Sequence, residues 1–305
     1  MTETMNEVRP AVQQICAEAQ VRAALHAVDL DSGAQVEIGA DDRCVTASTY
    51  KVIVLLELAC QAAAGELKLT DRVRIGAGEH APGISGISSM LDDIELSLRD
   101  AALQMIQVSD NTATDVLQGI VGTDRIMQRL QALGLTNTVI RQDCAGLIRE
   151  LLIDFGCDPD GQDIDLSPAE LAAAVERSPA LAGETGNTTT ARDMTSLLRM
   201  IWADEAGPAE ACEEVRRVLL RQYAPHRLST AYNDGPSIAG KTGTFTGGVR
   251  NEVGVFDFGD GERYAVAIYL RQNGTELRDS RADRALGKIA RTAVDHLRAL
   301  RSAVG

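Results

Sequence analysis

No stretch of this sequence approaches the length of apolar run that crosses a bilayer. The opening residues Met1-Thr2-Glu3-Thr4-Met5-Asn6-Glu7 are acidic, with neither the basic start nor the apolar segment of a secretory leader after them. A cytoplasmic location is therefore expected, unless a leader has been removed. Basic residues are outnumbered, 30 Lys and Arg against 44 Asp and Glu, for a net charge of -14. That argues against the clustered positive surface that nucleic acids and anionic membranes require. The six cysteines (Cys16, Cys44, Cys60, Cys144, Cys157 and Cys212) show no C-x-x-C spacing, which argues against a zinc site or a disulfide framework and for free thiols. The four histidines (His26, His80, His226 and His296) lie far apart, with no H-E-x-x-H arrangement. Neither a metal nor another cofactor is expected. Internal repeats and low-complexity segments are absent too. What remains is a 305-residue globular chain, 45% apolar, long enough for one large domain or two lobes.

The order of elements narrows the fold. Apolar residues at helical spacing predict a helix over Val8 to Ala19. Ala23 to Asp29 and Ala34 to Gly39 then read as a hairpin around Asp29-Leu30-Asp31-Ser32-Gly33. A helix starting at Ser48 is expected to stop at Gly65, a residue suited to follow a helix C-terminus. Arg74 to Asp93, with Ala81-Pro82-Gly83-Ile84-Ser85-Gly86 inside it, reads as loop. Helices are predicted from the cap Ser97-Leu98-Arg99-Asp100 onward, over Ala101 to Val108, Thr112 to Val121 and Thr123 to Leu133.

From Arg141 to Gly186 the periodicity loosens into a long structured loop, with an acidic turn at Cys157 to Asp163 and a short helix begun by Ser167-Pro168-Ala169-Glu170 and ended near Ser178-Pro179. Thr190 to Ala203 and Glu210 to Gln222 return to helix. Ser237 to Thr242, Val249 to Phe258 and Arg263 to Arg271 read as strands, joined in part by the turn Gly259-Asp260-Gly261-Glu262, and Ala282 to Leu300 as a closing helix. Strands at both ends of a helical middle predict an α+β fold: one antiparallel sheet from the N- and C-terminal segments, flanked by helices, with an inserted all-helical lobe. The expected division is 1–45 with 229–305 as the α/β lobe and 46–228 as the helical lobe.

Three motifs carry chemistry. In Thr46-Ala47-Ser48-Thr49-Tyr50-Lys51 a hydroxyl and an amine sit one helical turn apart at the head of an apolar helix. Ser109-Asp110-Asn111 lies where two predicted helices meet, and Lys241-Thr242-Gly243-Thr244 on the first strand after the helical middle. Taken singly, each has a plain reading: Ser48 as a helix cap, Ser109-Asp110-Asn111 as a turn, Lys241 and Gly243 as an edge lysine and a bulge, Arg250 as a solvated strand residue. Together and in this order they are specific. The chain resembles the serine β-lactamase and penicillin-binding protein superfamily, whose signature is S-x-x-K, S-D-N and K-T-G, and is most similar to class A β-lactamases.

That resemblance implies an acyl-enzyme on Ser48 with Lys51 as base. An ordinary lysine, with pKa ~10.4, is almost wholly protonated at neutral pH, so making Lys51 a base costs about 4 kcal/mol of burial and repulsion from a second cation, Lys241. Ser109 would relay a proton to the leaving group, and Lys241 would hold Ser109 and attract a substrate carboxylate. Asn111 would bind a substrate amide; Thr242, Gly243, Thr244 and Arg250 would line the carboxylate site. The backbone N–H groups of Ser48 and Thr244 would form the oxyanion hole, each donor worth about 3 to 4 kcal/mol. The implied partner is a small amide or ester bearing a carboxylate.

Class A enzymes also carry an E-x-x-L-N pattern whose glutamate and asparagine position the hydrolytic water. No such pattern occurs here; the family's spacing falls near Ala174, which makes Glu176 the candidate base, with Glu170 and Glu184 behind it and surface acids as the plain alternative. The expected functions are, in order, a β-lactamase-like serine hydrolase, a biosynthetic serine acyltransferase, and a non-catalytic penicillin-binding or sensor protein.

Overall fold

The computed structural model describes residues 5–160, 166–223, 227–232, 235–259 and 261–304. Part of the acidic turn at Cys157 to Asp163, Asp260 of the turn at Gly259, and His226 lie outside the described residues. The chain divides into two compact units, Met1–Thr49 with Thr189–Arg199 and Pro225–Gly305, and Tyr50–Thr188 with Met200–Ala224.

In the first unit five antiparallel strands run in the spatial order Gln35–Ile38, Val21–Asp29, Arg263–Gln272, Val249–Asp257, Ser237–Phe245. The sheet is built from both ends of the chain, as expected. Leu25 pairs with Ile268 and Val253 with Lys241. Alternate residues Tyr264, Val266, Ile268 and Leu270 face a core shared with Val8 and Val12 of helix Met5–Ala19 and with Leu286, Ile289, Ala293 and Leu297 of helix Ser280–Val304. Each such buried aliphatic side chain contributes about 1.5 to 3 kcal/mol. The strand pairing runs without a break past Gly243, so no bulge forms there.

The second unit is organised on helix Lys51–Ala63, in which residues 51–61 are all buried. A helix apolar on every side belongs in the middle of its neighbours. Its polar members are all satisfied: Glu57 is paired with Arg129, and Gln61 donates to Glu57 (2.8 Å) and to the carbonyl of Val121 (2.9 Å). The helix ends as predicted. Gly65, at φ 74°, lets its own N–H reach the Ala62 carbonyl and the N–H of Glu66 reach Gln61, closing the last turn. Around it stand helices Leu98–Gln107, Asn111–Val121, Thr123–Ala132 and Ala209–Leu219.

Two stretches differ from expectation. The loop read at Arg74 to Asp93 is bracketed by a hairpin, Arg72–Ile75 paired with Ile94–Ser97, whose strands are too short and too charged to show alternation. The segment read as a loosened loop from Arg141 holds an unexpected full helix, Cys144–Asp154, begun by the Asp143 carboxylate accepting from Gly146 N–H (2.8 Å), and a single turn, Pro179–Ala182, after the short helix expected at Ser167, which spans Pro168–Arg177. Among the described residues no helix is long and apolar enough to cross a membrane.

Candidate active site

Ser48 lies half-buried in the 3-10 turn Ala47–Tyr50, which runs on into helix Lys51–Ala63. It does not cap that helix, whose N-terminal flanking residue is Tyr50. The turn is held from several sides. Thr49 donates its N–H (3.2 Å) and its hydroxyl (2.7 Å) to the Thr46 carbonyl, and buried Asn251 donates to the carbonyls of Val45 (2.9 Å) and Thr46 (3.2 Å). Such support is needed because Ala47 sits at φ 44°, a left-handed backbone that costs a non-glycine residue about 1 kcal/mol or more.

Gly243 comes against this turn. A Cβ there would stand 3.1 Å from the Thr46 carbonyl oxygen and from Thr49 Cγ2, and 3.2 Å from Ala47 Cβ, so only glycine fits without displacement. The first unit thus brings the Ser48 turn onto the Lys241–Thr244 strand. Lys241 is fully buried and donates to the carbonyl of Thr242 (2.8 Å).

The next strand changes the assignment of cations. Arg250 is buried, not solvated: its Nε and Nη2 donate to the Asp283 carboxylate (3.0, 2.6 and 2.7 Å) and its Nη1 to the Leu277 carbonyl (2.6 Å). The guanidinium that touches Thr244 is that of Arg227, which donates to the Thr244 hydroxyl (2.6 Å), to Asn251 O (3.1 Å) and to Asp283 (2.5 Å). Two guanidinium groups on one carboxylate leave a net positive charge beside Thr244. Neither Arg227 nor Asp283 belongs to a motif, and the sequence offered no sign of either; Arg227 precedes the 3-10 turn Leu228–Ala231 and Asp283 lies in the first turn of helix Ser280–Val304.

The second unit holds the other polar set. Lys51 is completely buried, and its amine donates to Ser109 O (2.7 Å), Asn111 Oδ1 (2.8 Å) and Asp110 O (3.3 Å), with Ser109 Oγ at 3.4 Å. Ser109 adopts φ 60°, which aims its carbonyl at the lysine while Asp110 starts the next helix by accepting from Ala113 N–H. Asn111 is engaged at both ends, since its amide nitrogen donates to Pro82 O (2.7 Å). Burial drives Lys51 below the ordinary lysine range, while Cys144, Asp115 and Asp110 pull the other way.

No carboxylate side chain is among these hydrogen bonds of Lys51; helix Cys144–Asp154 begins with the buried thiol of Cys144. That thiol lies 3.1 Å from the Tyr50 hydroxyl. The Asp115 carboxylate fixes the backbone beneath it, accepting from the N–H groups of Cys144 (2.7 Å) and Ala145 (2.9 Å). Burial pushes the Cys144 thiol up to about 12 and the Asp115 carboxyl up to about 6. The run Cys144-Ala145-Gly146-Leu147-Ile148 keeps the leucine of E-x-x-L-N and has cysteine and isoleucine where the glutamate and asparagine would be. Only a search that allowed both substitutions could have found it. Glu176 is exposed on helix Pro168–Arg177, where Ala174 is the buried residue; Glu170 is used in the cap with Ser167 (2.9 Å to its N–H), and Glu184 is exposed. Among the described residues no three His, Cys, Asp or Glu side chains converge to hold a metal ion.

A sheet built from both chain ends in one unit and a helical second unit, with a buried lysine at the head of its central helix, are features of serine β-lactamases and penicillin-binding proteins. A β-lactamase from Sphaerobacter thermophilus DSM 20745 is 25% identical, with a TM-score of 0.73 over 93% of this chain and 94% of that one. PBP-A, at 22% identity, shares the fold with a TM-score of 0.75 over 98% of this chain and 97% of its own. The profile described as "Beta-lactamase enzyme family" matches residues 7–297, and the chain belongs to that family. It is also 26% identical over 293 residues, 88% of this chain and 91% of the relative, to a Streptomyces cacaoi protein described as "Beta-lactamase regulatory protein BlaB".

Proposed function

We propose that this protein takes a β-lactam, or another small amide or ester bearing a carboxylate, onto Ser48 as an acyl-enzyme and releases it slowly. The observation that carries this is that Cys144 and Ile148 stand where the E-x-x-L-N pattern has its glutamate and asparagine. Neither residue can activate a water as a carboxylate and an amide can.

Acylation needs less. Lys51, buried and with no carboxylate side chain among its hydrogen bonds to Ser109, Asp110 O and Asn111, takes the Ser48 proton as Oγ attacks the carbonyl carbon. The backbone N–H groups of Ser48 and Thr244 receive the developing oxyanion. As the carbon–nitrogen or carbon–oxygen bond breaks, Ser109 passes the proton from Lys51 to the leaving atom. Lys241, Thr242, Thr244 and the Arg227 guanidinium, with Arg250 and Asp283 behind it, favour a substrate carboxylate through charge and donors.

A regulatory role is the second reading. It is favoured by the Streptomyces cacaoi relative, described as a regulatory protein, and a long-lived adduct would serve it as a signal. Intact-protein mass spectrometry over time with benzylpenicillin tests the first reading. One adduct should form, persist after free penicillin is removed, and be absent from Ser48→Ala. No adduct on the wild-type chain, or rapid steady hydrolysis, would overturn it.

A further inference from the structure

The turn that carries Ser48 is held by one row of the five-stranded sheet. Gly243 lies directly opposite Asn251 in the strand pairing, and Asn251 directly opposite Tyr269, so the three share one face on adjacent strands. Asn251 and Tyr269 stand outside the three motifs, and the steps above use neither. Gly243 supplies space: without a side chain it lets the turn settle on the strand, where a Cβ would already stand 3.1 Å from the Thr46 carbonyl oxygen. Its two neighbours in the row supply hydrogen bonds.

Counting protons fixes the direction of each bond. The Asn251 side-chain oxygen accepts from the Leu270 N–H (3.2 Å), which leaves the amide nitrogen facing the turn, where it donates to the carbonyls of Val45 (2.9 Å) and Thr46 (3.2 Å). The Thr49 hydroxyl has a single proton and gives it to the Thr46 carbonyl (2.7 Å), so in the 3.1 Å contact between Tyr269 and Thr49 the donor is the Tyr269 hydroxyl. Burial pushes the Tyr269 phenol well above its ordinary range, which keeps that proton in place. Thr46, Thr49, Asn251 and Tyr269 are all buried, so a lost bond is not made good by water. These bonds fall on Val45 and Thr46 before Ser48 and on Thr49 after it, and between them they hold Ala47 at its left-handed φ of 44°. A turn released from them relaxes at Ala47 and carries the Ser48 N–H and Oγ with it.

We propose that Asn251 and Tyr269 are positioning residues for acylation: from the two strands beyond Gly243 they fix the turn that carries Ser48, so that its N–H and that of Thr244 face the same developing oxyanion. This rests on the acylation of Ser48 put forward above. In this role neither side chain touches the substrate. Both therefore govern how fast bound substrate reacts, and not how tightly it is held.

Asn251→Ala removes both donations to the turn, and Tyr269→Phe removes one hydroxyl while keeping the ring. Adduct formation on the full-length protein is followed against benzylpenicillin concentration, which separates the limiting rate from the half-saturating concentration. One such hydrogen bond is worth a factor of about two to ten, so the limiting rate should fall about tenfold or more in Asn251→Ala and about threefold to tenfold in Tyr269→Phe. The half-saturating concentration should stay within about twofold of wild type in both. Amide hydrogen exchange of Tyr269→Phe gives a readout without substrate. The Thr49 N–H, bonded to the Thr46 carbonyl, should exchange about threefold faster or more relative to the N–H of Ile268 in the middle of the sheet. Where Asn251→Ala does not fold, Tyr269→Phe decides alone. A limiting rate in Tyr269→Phe within about twofold of wild type, or an unchanged ratio of Thr49 to Ile268 exchange, would overturn the positioning role. A wild-type chain that forms no adduct while Thr49 exchange moves as stated would overturn the acylation reading and leave the hold of this row on the turn standing.

Discussion

Replacing Asp115 with asparagine should change how stability depends on pH. Burial raises this carboxyl from 3.8 to about 6 in the folded protein, even though it accepts from two backbone N–H groups. The folded chain therefore holds a proton that the unfolded chain has released between those two values. Stability from this group is fully present below 3.8 and is lost as pH rises through about 6, a step of about 3 kcal/mol. Asparagine keeps one acceptor for Cys144 or Ala145 and loses the other, at a cost of about 1 to 3 kcal/mol that does not vary with pH. Denaturant unfolding of the wild type and Asp115→Asn from pH 4 to pH 8 would read both effects. The variant should be the less stable protein at acid pH and should draw level with or pass the wild type above neutrality, the difference between the curves changing by about 3 kcal/mol. Parallel curves would mean that Asp115 is already ionised and comfortably solvated, and the account of this corner would fail.

Other outcomes can be stated together. Arg227→Ala should reduce the adduct-formation efficiency of carboxylate-bearing penicillins by about tenfold or more while sparing their carboxyl esters, as expected for loss of a charge-assisted contact. Arg250→Ala should act mainly on folding, costing about 3 to 5 kcal/mol because Asp283 and the Leu277 carbonyl lose a buried partner; this is read by denaturant unfolding. Gly243→Ala should slow adduct formation in a chain that still folds, since the added methyl group must displace Thr46, Ala47 or Thr49, the residues that hold Ser48. Glu176→Gln should leave adduct lifetime unchanged, in keeping with an exposed side chain; a longer-lived adduct in that variant would restore Glu176 as the hydrolytic base.

How much could be read from the sequence depended on whether a feature was local. The five-stranded sheet was legible because β-branched residues and turn glycines mark Val249–Asp257 and Arg263–Gln272 from within. The central helix was legible because nothing else explains the apolar run after Lys51. The hairpin Arg72–Ile75 with Ile94–Ser97 was not, since its strands are four residues each and are separated by a long polar excursion. The same division holds for the polar groups. The spacing of Ser48 and Lys51, and the triplets at Ser109 and Lys241, are properties of neighbouring residues. That Tyr50 meets a thiol, or that Thr244 meets Arg227, depends on pairing between distant segments, and a cysteine at the head of an unremarked helix carries no local mark.

The sheet has a consequence for how the chain is made. Strand Val21–Asp29 has strand Arg263–Gln272 as one partner, with Leu25 opposite Ile268, so during synthesis the early strand must wait until nearly the whole chain has left the ribosome. The helices packed on Lys51–Ala63 come mostly from the intervening sequence and can assemble sooner. Until the late strands arrive, Leu25, Ala27 and Val28 leave apolar surface in water, and an open strand edge invites pairing with another copy. Yield in a cell should therefore respond to chaperone supply and to elongation rate over the last third of the message, quite apart from the stability of the finished protein.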